Sequence, residues 1–171
     1  MKKIFQSLVF ILMLSSPISA EEFNEFNIGY SNWDLDGFNS INSYDIGFNI
    51  QSEKTRFSAQ YWRLDGDGDD AGLWHTGIDY GFGDWADGTA YFGIGYLDSE
   101  LADTGEVSYT IGYAKSSTEG MNYDVNFFNV DGETDLRIDL SWDIGNANYL
   151  GLGYWSSDDL DIISLNYSKK F

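Results

Sequence analysis

His75 is the only histidine in this 171-residue chain, so acid–base chemistry near neutral pH has one natural centre. A serine nucleophile needs such a base within hydrogen-bond reach. Ser58 is the nearest candidate in an alternating register. With 65–72 as a hairpin loop, however, His75 pairs across from Trp62 and Ser58 across from Asp79. Hydroxyl and imidazole then lie far apart along the strand pair, and Tyr61, Arg63 and Thr76 complete no better constellation. The chain has no cysteine, which removes thiolate catalysis, disulfides and Cys-based zinc sites. No enzyme is expected, and His75 is read as an interior hydrogen-bonding residue.

A second candidate is chelation. Asp65, Asp67, Asp69 and Asp70 alternate with glycine, and alternate oxygens can converge on a hard cation. An EF-hand would want glycine at position 70 and glutamate at position 76, where this chain has Asp70 and Thr76. A solvated acidic loop is the plainer reading, with weakly held calcium or magnesium as the sharper one. No tightly bound cofactor is expected.

The elements that must carry these residues are legible from periodicity. Residues 1–20 read as a secretory leader: Lys2 and Lys3, an apolar run from Ile4 to Leu14, then Ile18-Ser19-Ala20 before the cut. The mature domain is 21–171. From Phe26 onward the chain repeats about nine residues of apolar/polar alternation, then a break rich in Asp, Gly, Asn and Ser. Strands are expected near 26–33, 42–51, 55–64, 73–82, 88–97, 106–115, 122–131, 135–144, 149–156 and 161–171. One face carries large apolar residues such as Ile46, Phe92, Ile94, Tyr109, Ile111, Leu140, Leu152 and Leu165. Its only position that is not apolar is Thr76, and none is charged. The other face is small, polar and glycine-rich, with Tyr91 the only large aromatic residue along it away from the strand ends.

A soluble sandwich would bury the apolar face and present long polar side chains to water. A large uncharged aromatic face opposite a crowded glycine-rich one suits lipid outside and a narrow interior inside. Only helices or closed barrels satisfy the backbone in hydrocarbon, and tilted strands of nine to eleven residues cross it. The fold class is therefore all-β: a closed antiparallel up-and-down transmembrane barrel of about ten strands, with eight as the alternative count.

The chain stops on Phe171 after Ile163, Leu165, Tyr167 and Lys169 at alternate positions. This resembles the terminal signature of small Gram-negative outer-membrane β-barrel proteins, the porin-like barrels. The resemblance implies a bacterial outer-membrane location, and recognition of Tyr167 and Phe171 by the barrel-assembly machinery. It also implies contact with outer-membrane lipid and lipopolysaccharide, whose phosphates could share divalent cations with the acidic loops. Some such barrels are lipid-modifying enzymes that use Ser and His near the rim, a role His75 and Ser58 fit poorly. A monomer is expected.

With both termini on the periplasmic side, the outer segments are 34–41, 65–72, 98–105, 131–135 and 157–161. They hold fifteen Asp and Glu and no Lys or Arg. The chain's formal charge is −19, and loss of Lys2 and Lys3 makes the mature domain more acidic still. Nucleic acid, which needs clustered basic residues, is not an expected partner. Parity places Asp45, Asp79, Asp124, Asp139 and Asp143 inside, with Arg56, Arg137 and His75 as their partners. Trp33, Trp62 and Trp155 fall inside near the outer ends, as a mouth collar or as packing. The leading function is a structural barrel or a narrow cation-preferring channel. A surface-interaction barrel that binds host, phage or cation-bridged lipopolysaccharide is the alternative, and a lipid-modifying enzyme the second.

Overall fold

The computed structural model describes residues 23–36, 40–66, 70–83, 85, 88–100, 104–115 and 120–171. The expected leader, Asp67 and Asp69 lie outside the described residues. Ten strands form one closed antiparallel barrel: β1 (Phe23–Leu35), β2 (Ile41–Gln51), β3 (Thr55–Asp65), β4 (Ala71–Gly81) and β5 (Thr89–Ser99), followed by β6 (Glu106–Lys115), β7 (Met121–Val130), β8 (Glu133–Gly145), β9 (Asn148–Ser156) and β10 (Leu160–Lys170). Each strand pairs with its neighbours in sequence. β1 closes the ring on β10 from Glu25↔Lys170 to Leu35↔Leu160. Closure leaves no unpaired edge, which the hydrocarbon environment demands.

The two faces separate as alternation dictates. Large apolar side chains cover the outer wall and remain uncovered by protein: Tyr44 is 60 % exposed, Ile111 61 % and Ile163 64 %. A sandwich would have buried them, so this wall is built for a non-aqueous solvent. The buried side chains are instead inside the barrel, among them Ser31, Ser43, Tyr91, Ser108 and Phe128.

β1 begins and β10 ends at one end of the barrel, here the terminal end, together with the β2–β3, β4–β5, β6–β7 and β8–β9 turns. The opposite, loop end carries the acidic connections. The β7–β8 link is a two-residue Asp131-Gly132 turn with φ of 51° and 87°, the left-handed pair that matches hairpin twist. At the terminal end Asn146 and Ala147 also have positive φ, 57° and 59°. Asn148 Nδ2 holds that turn by donating to the Gly145 carbonyl at 2.7 Å.

One register differs from expectation. β3 and β4 run on to Asp65 and Ala71, with Leu64 opposite Ala71. His75 therefore faces Gln60, Trp62 faces Leu73, and Ser58 faces Gly77. The apolar Leu64–Ala71 pair extends the ladder into the 65–72 segment expected as the loop. The slip is two residues, so every side chain keeps its face.

Candidate functional site

The lumen is where this sequence collects its chemistry, and it divides into three tiers. At the terminal end Arg56 on β3 reaches across the interior. Its Nε donates to Asp79 Oδ2 at 2.9 Å, and its Nη1 donates to Asp124 Oδ2 at 2.6 Å. The second oxygen of Asp124 accepts from the Tyr91 hydroxyl at 2.6 Å and from Asn126 Nδ2 at 3.0 Å. Trp85, from the β4–β5 turn, and Tyr91 each place a ring 4.8 Å from the Arg56 guanidinium carbon. Arg56, Asp79 and Asp124 were expected in the interior, and the structure joins them in one ion-pair network. A methyl at Gly93 would overlap the Asp79 carboxylate, so glycine is what lets that side chain lie against the wall.

In the middle tier, glycines on one strand make room for polar side chains folded over from the next. His75 spans Gly95 of β5, and its Nε2 lies 3.0 Å from Ser108 Oγ on β6. A Cβ on Gly95 would sit 2.6 Å from both atoms. A histidine–serine pair at hydrogen-bond distance is a nucleophile–base geometry in outline. Ser108 is fully buried (0 % exposed). On the opposite wall Asp45 lies over Gly29 beside Asn166, and Asp139 lies over Gly153 beside Ser164. Asp45 accepts from Gln60 Nε2 at 2.7 Å. Asp139 faces the cavity and is exposed within it.

The third tier closes the loop end. Trp155 stands 5.9 Å from Trp33, 6.3 Å from Trp62 and 5.9 Å from Phe128, centroid to centroid. Trp33 is anchored by its Nε1, which donates to Ser31 Oγ at 3.1 Å and Ser43 Oγ at 3.0 Å. The three tryptophans thus pack on one another across the mouth rather than standing apart as an open collar. Ile41, Leu73, Leu97 and Ile162 share their register with Trp33, Trp62, His75 and Trp155. They add an aliphatic rung to the same face. Arg137 is clamped inside this layer, its guanidinium carbon 3.4 Å from the Phe128 centroid and 3.5 Å from that of Trp155. Its Nε and Nη2 are buried without a hydrogen-bond partner.

Between these tiers lies a cavity of about 350 Å³. Its lining runs from Glu25, Gln51, Lys115 and Lys170 at the terminal end to Trp62, Phe128 and Trp155 under the seal. Asp45, Arg56, His75, Asp79, Asp124, Arg137 and Asp139 all line it, as parity required. Asp143 does not. It keeps its register opposite Tyr149 but sits at the terminal rim, where its Oδ1 accepts the Gly145 amide at 2.6 Å and a β-bulge follows it.

Parity alone did not identify Trp85, Phe128 or the aliphatic rung. Phe128 carried a signal, since Phe127-Phe128 breaks the alternation and puts a ring on each face. Trp85 lies in a turn, where alternation says nothing.

The remaining candidates lie at the two rims. Asp70 pairs with Arg63 at 2.8 Å at the loop end. No group of three or more metal-binding side chains occurs among the described residues, which exclude Asp67 and Asp69. At the terminal end the Tyr167 hydroxyl donates to Asn148 Oδ1 at 2.6 Å, and the Phe171 and Asn24 backbones exchange two hydrogen bonds of 2.9 and 3.1 Å. The last residue therefore extends the β1–β10 seam.

No protein-family model matches this sequence, and no curated protein matches it. Solved structures do. The KdgM porin aligns over 85 % of this chain and 99 % of its own, with a TM-score of 0.50 and 8 % identity. The N-terminal barrel domain of Pseudomonas aeruginosa OprF aligns over 86 % and 97 %, with a TM-score of 0.41 and 10 % identity. A mutant Rh. blastica porin aligns over 76 % of this chain and 44 % of its own, with a TM-score of 0.41 and 17 % identity. At such identities the likeness is one of architecture: the chain has the fold of a porin-like outer-membrane barrel.

Proposed function

We propose that this chain is an integral barrel of the bacterial outer membrane. It forms a narrow, cation-preferring passage for small polar solutes, with its terminal end toward the periplasm. The observation that carries this reading is the lumen: a polar cavity of about 350 Å³ whose lining includes Asp45, Asp79, Asp124 and Asp139. A purely structural barrel would fill that space with packed side chains, as barrels of about eight strands do. Ten strands and the interior glycines leave it open.

Cation preference comes mainly from the loop end, where clustered carboxylates raise the local cation concentration. Inside, Asp79 and Asp124 largely neutralise Arg56. The aromatic and aliphatic layer around Trp155 is the seal that solute must pass. An apolar constriction of this kind conducts only when it widens enough to stay wet.

The test is planar-bilayer conductance of the refolded mature domain, after heat-modifiable gel mobility confirms a barrel. Discrete steps with cation-directed reversal potentials support the reading. A folded barrel that stays silent for both wild type and Phe128→Ala counts against it.

A further inference from the structure

Arg137 and Asp139 occupy successive lumen positions of β8, so opposite charges stand side by side on one strand. Two residues along a strand separate them by roughly 7 Å, well within reach of an ion pair through side-chain bending. Yet Arg137 makes no ion pair among the described residues. Its guanidinium carbon lies instead in the angle between the Phe128 and Trp155 rings, 3.4 and 3.5 Å from their centroids, with the two ring planes 75° apart. Asp139 is held away from it, folded across β9 with its carboxylate over Gly153. Neighbouring opposite charges that are kept from closing on each other form a preorganised dipolar site.

The unmet hydrogen-bonding groups agree with that polarity. Nε and Nη2 of Arg137 are donors without acceptors. Asn126, directly opposite Arg137 on β7, has a buried Oδ1 that is an acceptor without a donor. Buried groups left unpaired in this way are costly, and a ligand that meets them recovers that cost. A simple anion at Arg137 would face Asp139 below it and Asp135 above it on the same strand. A simple cation at Asp139 would face Arg137. A molecule bearing both charges satisfies the pair and meets neither repulsion.

We infer that the lumen beneath the aromatic seal binds a small zwitterion of the amino-acid class. Its carboxylate lies toward Arg137, its ammonium toward Asp139 and the Asn126 carbonyl oxygen, and its side chain against Trp62 and Trp155. The inference names the solute class of the passage proposed above, and it rests on that lumen being filled with water from the terminal end.

Tryptophan fluorescence of the refolded protein in detergent micelles reads binding without requiring conduction. Propionate is L-alanine without its ammonium group, and ethylamine is L-alanine without its carboxylate. Alanine should give a saturable change at a concentration roughly tenfold or more below either single-charge analogue, since each end adds a charge-assisted hydrogen bond. Arg137→Gln should abolish the advantage over ethylamine, and Asp139→Asn the advantage over propionate. Both variants must keep the heat-modifiable band of the folded barrel. Equal affinity for all three solutes overturns the inference, as does retention of alanine affinity in both folded variants. A silent barrel that binds alanine refutes the passage and keeps the site. A conducting barrel that does not discriminate alanine refutes the site and keeps the passage.

Discussion

Replacing Arg56 with methionine keeps the length of the side chain and removes its charge. The wild-type guanidinium makes two charge-assisted bonds, at 2.9 Å to Asp79 and 2.6 Å to Asp124. Removing one member of a buried ion pair typically costs about 3–5 kcal/mol, chiefly because the partner charge stays behind unpaired. Here the three side chains are 19 %, 12 % and 17 % exposed to the lumen, so water partly solvates the orphaned carboxylates. The lower end applies, and the expected loss for Arg56→Met is about 3 kcal/mol. With a urea slope of about 2 kcal/mol per molar, the unfolding midpoint in phospholipid vesicles should fall by roughly 1.5 M. Neutralising both carboxylates in the same background, as Arg56→Met with Asp79→Asn and Asp124→Asn, should return at least half of the loss. A single-variant loss below about 1 kcal/mol, or a triple variant no more stable than the single one, would refute the view that these charges hold one another in place.

Other consequences are open to the same kind of measurement. Gly95→Val should displace His75 from Ser108, because even a Cβ there lies 2.6 Å from both atoms. The cost should be about 1–3 kcal/mol by urea unfolding, with a changed His75 ring resonance, and an unaltered resonance would contradict the contact. Ile94→Arg, in the middle of the outward face, should cost about 2–4 kcal/mol in vesicles, while a neutral result would mean that this wall does not meet hydrocarbon. Phe128→Ala removes one face of the Arg137 clamp and one ring of the seal. It should raise conductance, and an unchanged conductance would place the constriction elsewhere.

The fold was legible because alternation in a lipid-facing barrel is unusually strict. One wall meets hydrocarbon and the other a crowded polar interior, so ten successive segments carry the same contrast. Strand ends were less legible. Leu64 and Ala71 flank a polar loop, and whether they extend the ladder depends on cross-strand packing that no local pattern reports. Asp45, Asp79, Asp124 and Asp139 line the cavity, but parity carries no information on reach. Arg56 bridges Asp79 of the adjacent β4 and Asp124 of the distant β7, a contact fixed only by the diameter of the closed ring. The same limit hid the clamp on Arg137: Phe128 and Trp155 come from the strands on either side of β8, and the interior packing brings both rings onto one guanidinium.

Single-channel recording under a potassium chloride gradient tests the proposed passage most directly, with the refolded mature domain in a planar bilayer. Discrete openings are expected, with a reversal potential directed toward potassium and a preference weakened by Asp139→Asn. A barrel shown by gel mobility to be folded, yet anion-selective, or silent even after Phe128→Ala, would contradict a narrow cation-preferring channel.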